Sequence, residues 1–404
     1  MEIDVVVIGG GPAGLKAAKE IAERGGSVVV LDENKVFGGK LLGQLHEEPS
    51  EQKWWNGQKI ASQLVLEALS AGVKLMGGVQ VWGLEPGWKV QIADTLNRSL
   101  PSQTIIAKVV LLATGAAEKP LPVPGWTMPG VMTIGAAQVL TNLYKVKPGR
   151  KVIICGLDVL SLSIAKALVL AGVKVEGIVL SEQDDLQMAF SKLFAMSQFA
   201  SNRIMRCGGN LFQHPLLQSI AVHFFPLKGL TIEGIPLLLK QTLVSIEGKG
   251  QVESVQLVSR TVSGKLIPGS EISVPVDAVC LSGGLTPLAE LAAIAGCKFV
   301  RLAGLSGSVP LHNALLETTV GGLYVAGNIT GIEGAKVAMA QGELAGKSIC
   351  AKQGIGHVGK DELDSAIQTV DTTRSKAEFQ FNSKIAEARL ELGKIWISEQ
   401  EENV

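Results

Sequence analysis

The first residues able to do chemistry form a glycine cluster, Gly9-Gly-Gly-Pro-Ala-Gly14, which matches the pattern G-x-G-x-x-G. Each glycine meets a separate steric demand. Gly9 permits a tight turn, Gly11 lets the backbone approach a pyrophosphate, and Gly14 lets a helix pack on a strand. The helix that follows would present free N–H groups and the positive end of its dipole to the phosphates. The cluster therefore predicts a dinucleotide-binding turn.

The segments around this cluster predict the β-α-β unit that such a turn requires. Ile3–Ile8 is an almost continuous apolar run, as expected of a strand buried on both faces. Helical spacing runs from Leu15 to Arg24, and a second apolar run covers Ser27–Leu31. Asp32 ends that run, with Glu33 as the neighbouring alternative, where an acidic residue would bind the ribose hydroxyls.

A second glycine motif, Gly156-Leu-Asp158-Val-Leu-Ser161, follows the apolar run Lys151–Cys155 and keeps one of the three glycines. Asp158 stands where bare backbone should meet a pyrophosphate. A carboxylate there repels an anion and can itself cap the helix. Ser181 stands where a ribose-binding acid would follow the second strand. The motif predicts that NAD(P)H is not bound in the standard way. Another nucleotide in a remodelled pocket and a structural domain without ligand remain open.

These units predict an α/β fold with two Rossmann-like dinucleotide-binding domains, the second inserted into the first, and a C-terminal helical tail. The predicted limits are 1–146 for the first part of the first dinucleotide-binding domain, 147–283 for the inserted domain, 284–355 for the second part of the first domain and 356–404 for the tail. A heptad-like rhythm predicts that the tail forms an amphipathic helix. Its positions are Phe381, Ile385, Ala388, Leu392 and Ile395.

Composition excludes several classes of protein. Lys and Arg together number 37 and equal Asp and Glu, so the balanced charge lacks the footprint of a nucleic-acid binder. Apolar runs fall short of the roughly 20 residues that a membrane span needs. The five cysteines form no C-x-x-C, and the five histidines have no metal-type spacing, so no metal site is predicted. A first strand starting at Ile3 leaves no room for a signal peptide. We expect a cytoplasmic protein, with attachment to a membrane surface through a partner as the alternative.

Three further segments carry a resemblance to a known family. They are Gly38-Gly39 after the acidic residue, Ala113-Thr-Gly115 after a strand, and Tyr324-Val-Ala-Gly-Asn328 before a helix. They resemble the FAD-dependent flavoproteins with two dinucleotide-binding domains, of the pyridine nucleotide-disulfide oxidoreductase type, in which these segments surround FAD. The resemblance covers about residues 1–355 and implies FAD at the first motif.

One branch of that family is closer in three stretches, Pro124–Val131, Gly135–Gln138 and Gly334–Ala340. This branch comprises the larger flavoprotein subunits of opine oxidases, hydrogen cyanide synthase and dye-linked proline or hydroxyproline dehydrogenases. The resemblance implies that Gly327 and Asn328 lie by the ribityl-phosphate part of FAD and that the helix from Gly334 points at the flavin ring. The cofactor-binding residues implied are Gly9, Gly11, Pro12, Ala13, Gly14, Asp32, Glu33, Gly39, Lys40, Ala113, Thr114, Gly115, Gly327, Asn328, Ala335 and Lys336.

No catalytic residue is assigned, but two lysines are candidates for tuning the flavin. Lys40 or Lys336 would raise its reduction potential, because a nearby cation stabilises the anionic reduced ring. Lys336 matches the branch pattern and is preferred, and a solvent-facing lysine is the alternative. His46 is either a solvated loop residue or a neighbour of the flavin, and one of Trp54 and Trp55 is expected at an interface or near the flavin.

Departures from the family narrow the function. Asn328 stands where the family usually has Asp, which removes a negative charge near the pyrophosphate. No cysteine follows Cys350, so the iron–sulfur module of many branch members is not expected, and the missing C-x-x-C excludes disulfide reduction. Two apolar stretches, residues 186–196 and 216–225, are either core or a surface for a partner subunit or a membrane.

The resemblance implies an FAD-binding subunit of a hetero-oligomeric amine or imino-acid dehydrogenase or oxidase, of the proline, hydroxyproline or opine type. A smaller FAD amine oxidase-like subunit would be its catalytic partner. The chain would relay electrons from that subunit to a ferredoxin-like or quinone-linked acceptor. A self-sufficient NAD(P)H-dependent FAD reductase and a scaffold with structural FAD are the alternatives.

Overall fold

The structure is a computed structural model that describes residues 2–48, 53–97, 100–182, 230–232, 234–261, 263–377 and 380–402. The chain forms two compact units. Unit 1 comprises Met1–Leu42, Gly57–Ala117 and Leu285–Val404, and unit 2 comprises Gly43–Asn56 and Glu118–Gly284. Residues 118–146, which the sequence-based limits gave to the first domain, belong to unit 2 because β-pairing and helix packing join them to it.

The elements have the following bounds. The strands are β1 (Glu2–Ile8), β2 (Val28–Asp32), β3 (Leu45–Glu48), β4 (Lys53–Asn56), β5 (Lys74–Gly77), β6 (Val79–Glu85), β7 (Lys89–Asp94), β8 (Gln103–Leu112), β9 (Ala116–Glu118), β10 (Val131–Thr133), β11 (Lys151–Cys155), β12 (Lys174–Leu180), β13 (Thr231–Ile232), β14 (Ile235–Glu247), β15 (Ser254–Ser259), β16 (Ile272–Pro275), β17 (Ala278–Leu281), β18 (Leu285–Pro287), β19 (Phe299–Leu302), β20 (Gly307–Pro310) and β21 (Leu323–Val325). The helices are α1 (Pro12–Glu23), α2 (Gly57–Ser70), α3 (Ile134–Asn142), α4 (Val159–Leu170), α5 (Glu290–Ile294), α6 (Ala335–Gln353), α7 (Lys360–Ser375) and α8 (Ile385–Glu402).

Unit 1 is built on a sheet with the strand order β5-β2-β1-β8-β7-β6, and β21 also pairs with β8. Strands β5, β2, β1, β8 and β21 are parallel to their neighbours in this set. The valines at the centre of β1 are fully buried, as the continuous apolar run predicts. Helix α6 lies against α1 so closely that a Cβ at Gly342 would fall 2.1 Å from the carbonyl oxygen of Ala13. Glycine on α6 therefore permits this helix contact.

Unit 2 has its own sheet, in the order β10-β17-β11-β12-β14-β15-β16. Strands β10, β17, β11, β12 and β14 pair in parallel, and β14, β15 and β16 pair antiparallel. Helix α4 connects β11 to β12, which is the second predicted β-α-β unit. The two Rossmann-like units and the α/β class are thus confirmed.

The C-terminal tail contains two described helices, α7 and α8, where the sequence predicts an amphipathic helix. The heptad-like rhythm belongs to α8, and Phe381 precedes that helix. Ile385, Ala388 and Leu392 are buried in a cluster with residues of the β19–β20 segment of unit 1. The stripe predicted from the sequence is therefore the face by which α8 packs.

Several predictions concern features of single segments. None of the described helices combines the length and the apolar character needed to cross a bilayer. Among the described residues, no group of three or more His, Cys, Asp and Glu side chains is placed to hold a metal ion. The described cysteines Cys155, Cys280, Cys297 and Cys350 are buried and form no disulfide. The two apolar stretches, 186–196 and 216–225, lie outside the described residues.

Candidate functional site

The glycine turn between β1 and α1 is held by contacts that exclude side chains at two positions. Gly9 has φ of 109°, and a Cβ there would lie 2.3 Å from the carbonyl oxygen of Ala113, which follows β8. A Cβ at Gly14 would lie 2.0 Å from the carbonyl oxygen of Gly9. The first and third glycines are therefore needed for the turn itself and for packing of helix on strand.

Gly11 differs from the other two glycines of the motif. It is the N-cap of α1 with φ −77° and ψ −175°, an extended conformation open to any residue. A Cβ built on Gly11 would meet no heavy atom of the described residues within 4 Å. Pro12 occupies the first turn of the helix, where its fixed φ is favourable. The protein's own packing therefore does not require glycine at residue 11, whereas a pyrophosphate at this helix end would.

Asp32 ends β2 and lies beside the glycine turn. Its Oδ2 accepts a hydrogen bond of 2.7 Å from the backbone N–H of Gly10, and its Oδ1 accepts one of 2.8 Å from Asn34. The residue is 9% exposed. Glu33, the alternative acid, is exposed. Of the two acids, Asp32 is the one fixed against the turn that would bind a dinucleotide.

Distant segments converge on the amino terminus of α1. A Cβ at Gly39 would lie 3.2 Å from the Cα of Gly11, and one at Gly327 would lie 3.0 Å from the Cβ of Ala13. With Ala113 against Gly9, the structure brings together residues predicted from four separate motifs. The side chain of Thr114, another predicted cofactor-binding residue, is already engaged within the protein. Its hydroxyl donates a hydrogen bond to the carbonyl oxygen of Leu288 at 2.5 Å. Gly115, next to it, has φ of 78°.

A second helix with an open amino terminus in unit 1 is α6. Its N-cap, Gly334, has φ −75° and ψ 165°, and a Cβ there would meet no described heavy atom within 4 Å. Ala335 is half-buried and Lys336 is exposed on the first turn. Lys40 is also exposed, in the short 3-10 helix Gly39–Gly43. Because both lysines are exposed, their positions agree with side chains that only face solvent and equally with side chains that tune the flavin.

The turn before α6 is held by hydrogen bonds that join the predicted residues Gly327 and Asn328 to Gln341 and Glu333, which the sequence did not point to. The backbone N–H of Gly327 donates to Oε1 of Gln341 at 2.8 Å, and Gln341 is buried. Asn328 accepts a hydrogen bond of 3.1 Å from the backbone N–H of Glu333 through its Oδ1. The amide that replaces the family's usual carboxylate therefore closes the turn internally.

Glu333 is bound by one arginine from each C-terminal helix. Arg374 on α7 donates from Nε to its Oε1 at 2.5 Å, and Arg389 on α8 donates from Nη2 to its Oε2 at 2.6 Å. Burial raises the pKa of Glu333, but the charges of Arg389 and Arg374 outweigh it and hold the pKa below its ordinary value. The sequence gives little indication of these ion pairs. It shows only an acidic residue next to the N-terminus of a helix and an arginine four residues after Ile385.

His312 lies buried in the same unit. Its Nδ1 lies 2.7 Å from the carbonyl oxygen of Pro310, so it donates to that oxygen when Nδ1 carries the proton. Burial, reinforced by the charges of Arg389 and Arg374, lowers the pKa of His312 to about 4. The histidine is therefore neutral in the folded protein at physiological pH.

We expect this histidine to make stability depend on pH. Between pH 6.5 and 4 the unfolded chain binds a proton at His312 that the folded chain does not, so stability falls as pH falls, by about 3 kcal/mol in total. In His312→Asn, whose amide can still donate to Pro310, the slope of unfolding free energy against pH should flatten in this window. Urea unfolding at a series of pH values measures it. An unchanged slope would show that His312 is not the residue responsible.

Unit 2 contains the second glycine motif in a closed form. Gly156 has φ of 107°, and a Cβ there would lie 2.1 Å from the carbonyl oxygen of Ser282, so the tight turn is kept. Asp158 is the N-cap of α4 and forms a capping box, in which its Oδ1 accepts from Ser161 N–H at 2.8 Å. Its Oδ2 accepts from the hydroxyl of Ser282 at 2.8 Å. The carboxylate thus occupies the helix end that a pyrophosphate would use.

The aromatic residues of the β3–β4 hairpin also belong to unit 2. His46 stacks on Trp55 with ring centroids 6.0 Å apart, so it lies in a strand rather than in a solvated loop. Trp55 is buried and donates to Oε1 of Gln44 at 3.0 Å, while Trp54 is half-exposed. The two tryptophans point in different directions, as expected for neighbours in a strand.

Comparison with known proteins places this geometry in a family. The family model described as pyridine nucleotide-disulphide oxidoreductase matches residues 3–204, half of the chain. An opine oxidase subunit of Agrobacterium tumefaciens (strain Ach5) is 31% identical over 362 residues, which cover 85% of this chain and 64% of that relative. Hydrogen cyanide synthase subunit HcnB of Pseudomonas aeruginosa is 28% identical over 367 residues, covering 86% and 71%. The chain spans 64% and 61% of the first two curated relatives, both of which are opine oxidase subunits.

Solved structures agree on the fold. L-proline dehydrogenase from P. horikoshii matches with a TM-score of 0.65 at 20% identity, covering 91% of this chain and 59% of that one. Thioredoxin reductase from T. acidophilum matches with a TM-score of 0.61 at 22% identity, covering 87% and 99%. At such identities the likeness carries the fold alone. Together with the family model, it leads to one assignment: the chain belongs to the pyridine nucleotide-disulphide oxidoreductase family.

Proposed function

We propose that this chain is the FAD-binding subunit of a hetero-oligomeric oxidoreductase that oxidises CH–NH or CH–NH2 groups of amino or imino acids. The observation that carries the proposal is the open amino terminus of α1 at Gly11, with Asp32 fixed beside it. Relatives named as subunits of an opine oxidase and a hydrogen cyanide synthase support the reaction class. Proline, hydroxyproline and opines are the substrate types proposed for the complex.

The residues around α1 fit FAD. The backbone of Gly11 and the free N–H groups of α1 would bind the pyrophosphate, and Asp32 would accept from the adenosine ribose. Gly39, Ala113 and Gly327 approach the same turn from other segments, and Gly334 opens a second helix end in unit 1. When bound, FAD would supply two-electron redox chemistry. The role of the chain is to bind it and to orient it.

Two of the described cysteines argue against thiol chemistry. Burial raises the pKa of Cys280 to about 12, to which nearby Glu118 contributes, and raises the pKa of Cys350 to about 11. Thiols held protonated in this way are poor nucleophiles. A ferredoxin-like or quinone-linked acceptor, as the family resemblance implies, is proposed to take the electrons. The cytoplasm is the proposed compartment, because the described cysteines are reduced thiols outside any disulfide.

The proposed donor of electrons is a smaller FAD amine oxidase-like subunit. Support comes from the names of the relatives, which describe subunits of larger enzymes. Asp158 argues against a reductase that takes hydride from NAD(P)H, since its carboxylate caps α4 where the pyrophosphate of the nucleotide would bind.

An anaerobic titration with NADH and then NADPH tests the proposal. The flavin band of the purified chain is expected to stay oxidised over minutes, because Asp158 closes the helix end in unit 2. Addition of the co-purified partner subunit with an amino or imino acid should then bleach it. Rapid bleaching by either nicotinamide cofactor would make the chain a self-sufficient reductase. A flavin that neither nicotinamide nor the partner with substrate reduces would make it a scaffold.

A further inference from the structure

We propose that Arg389 on α8 is a positioning residue for FAD, acting through the segment 327–334, which we name the cofactor turn. The inference rests on the proposed function, since it concerns the same cofactor. The cofactor turn joins β21 to α6 and carries two predicted cofactor-binding residues, Gly327 and Asn328. The family resemblance ends at about residue 355 and did not include any residue of α8.

Arg389 makes three hydrogen bonds to the cofactor turn. Its Nη1 donates to the carbonyl oxygen of Thr330 at 2.7 Å, and its Nη2 donates to Thr330 Oγ1 at 3.0 Å. Nη2 also donates to Glu333 Oε2 at 2.6 Å. A planar guanidinium can hold several acceptors in one fixed arrangement, which the single ammonium group of lysine cannot do. Arg389 therefore fixes Thr330 and Glu333 relative to one another.

The effect of Arg389 extends to the residue that would touch the cofactor. Because Thr330 Oγ1 accepts from the guanidinium, its own proton points elsewhere, and it donates to the carbonyl oxygen of Gly327 at 2.9 Å. The N–H of Gly327 is held in turn by Gln341. Gly327 has φ of 78°, which glycine adopts readily, and these two hydrogen bonds hold the peptide groups on either side of its Cα.

Attachment of α8 does not explain the arginine. The helix already packs through Ile385, Ala388 and Leu392 against an apolar cluster. Burying a guanidinium costs free energy that an apolar side chain would not incur. The Arg389 side chain is nevertheless only 12% exposed, and every hydrogen bond given above ends on the cofactor turn. These contacts indicate that the charged side chain holds the cofactor turn in place, whereas the apolar residues of α8 attach the helix.

The experiment measures the dissociation constant of FAD by flavin fluorescence in the full chain. Arg389→Met replaces the guanidinium by a shorter, unbranched apolar side chain and is expected to raise the dissociation constant about tenfold or more, since charged hydrogen bonds are lost. Arg389→Lys keeps the positive charge but loses the planar guanidinium that donates to three acceptors, so an intermediate increase in the dissociation constant is expected. Leu392→Ala is the control: it weakens packing of the same helix without touching the turn, and the dissociation constant should change less than twofold.

Thr330→Val keeps the inference testable if Arg389→Met folds poorly. Loss of the Thr330 hydroxyl should weaken FAD binding by itself, and combining it with Arg389→Met should add less than the two single effects together. Equal FAD affinity in Arg389→Met and wild type, or equal losses in Arg389→Met and Leu392→Ala, would overturn the inference. A wild-type chain that binds no FAD would instead refute the proposed function.

Discussion

Gly11→Val is expected to abolish FAD binding, raising the dissociation constant by about 1,000-fold or more, while the protein still folds. The branched side chain would fill the space in front of α1 where the pyrophosphate must meet the backbone. Gly11 has φ −77°, and a Cβ there meets no heavy atom of the described residues within 4 Å. The substitution therefore causes no strain in the backbone at residue 11, and its Cβ does not clash with the described residues.

Gly359→Val provides a matched control. Gly359 is the N-cap of α7, with φ −78° and ψ 161°, and a Cβ there also meets no described heavy atom within 4 Å. The two variants thus add the same side chain at the same position of a helix, and one of the two helices is predicted to bind FAD. Flavin content after purification and thermal unfolding followed by circular dichroism measure the difference. Stoichiometric FAD in Gly11→Val would refute the assignment of the first motif.

The parts of this molecule that could be predicted from sequence are those whose physics is local. Gly9, Gly11 and Gly14 lie within six residues: the strand–turn–helix requires glycine at Gly9 and Gly14, and a pyrophosphate at the helix end would require it at Gly11. Asp158 is also local, because a carboxylate at an N-cap satisfies the N–H group three residues later. Two Rossmann-like units and a closed second motif therefore followed from short segments.

Long-range pairing explains what could not be predicted. Residues 118–146 were given to the first domain because no local signal marks β10 as a partner of β17, nearly 150 residues later. Arg389 and Arg374 lie 56 and 41 residues from Glu333, so no spacing rule connects them. Their presence at the cofactor turn depends on how α7 and α8 fold back within unit 1.

Glu333→Gln is expected to destabilise unit 1 by about 3 kcal/mol or more. Its carboxylate is the common partner of Arg374 and Arg389, whose side chains are 14% and 12% exposed. Removing one member of a buried ion pair leaves an uncompensated buried charge, which typically costs about 3–5 kcal/mol. Glutamine retains an acceptor oxygen for one arginine but no charge for either, and the two guanidinium groups then repel each other.

Asp371→Asn is the control for Glu333→Gln, because it removes a carboxylate that pairs with the same arginine at the protein surface. Asp371 forms an ion pair with Arg374, and its side chain is 67% exposed. An exposed pair contributes about 0–1 kcal/mol, so this variant should be close to wild type in urea unfolding.

The folded pKa of Glu333 lies below its ordinary 4.5, so the stabilisation by its carboxylate is present above that pH and is lost as the pH falls through the folded value. The gap between wild type and Glu333→Gln should therefore close only in acid. Equal losses in the two variants at neutral pH would mean that burial does not strengthen this ion pair.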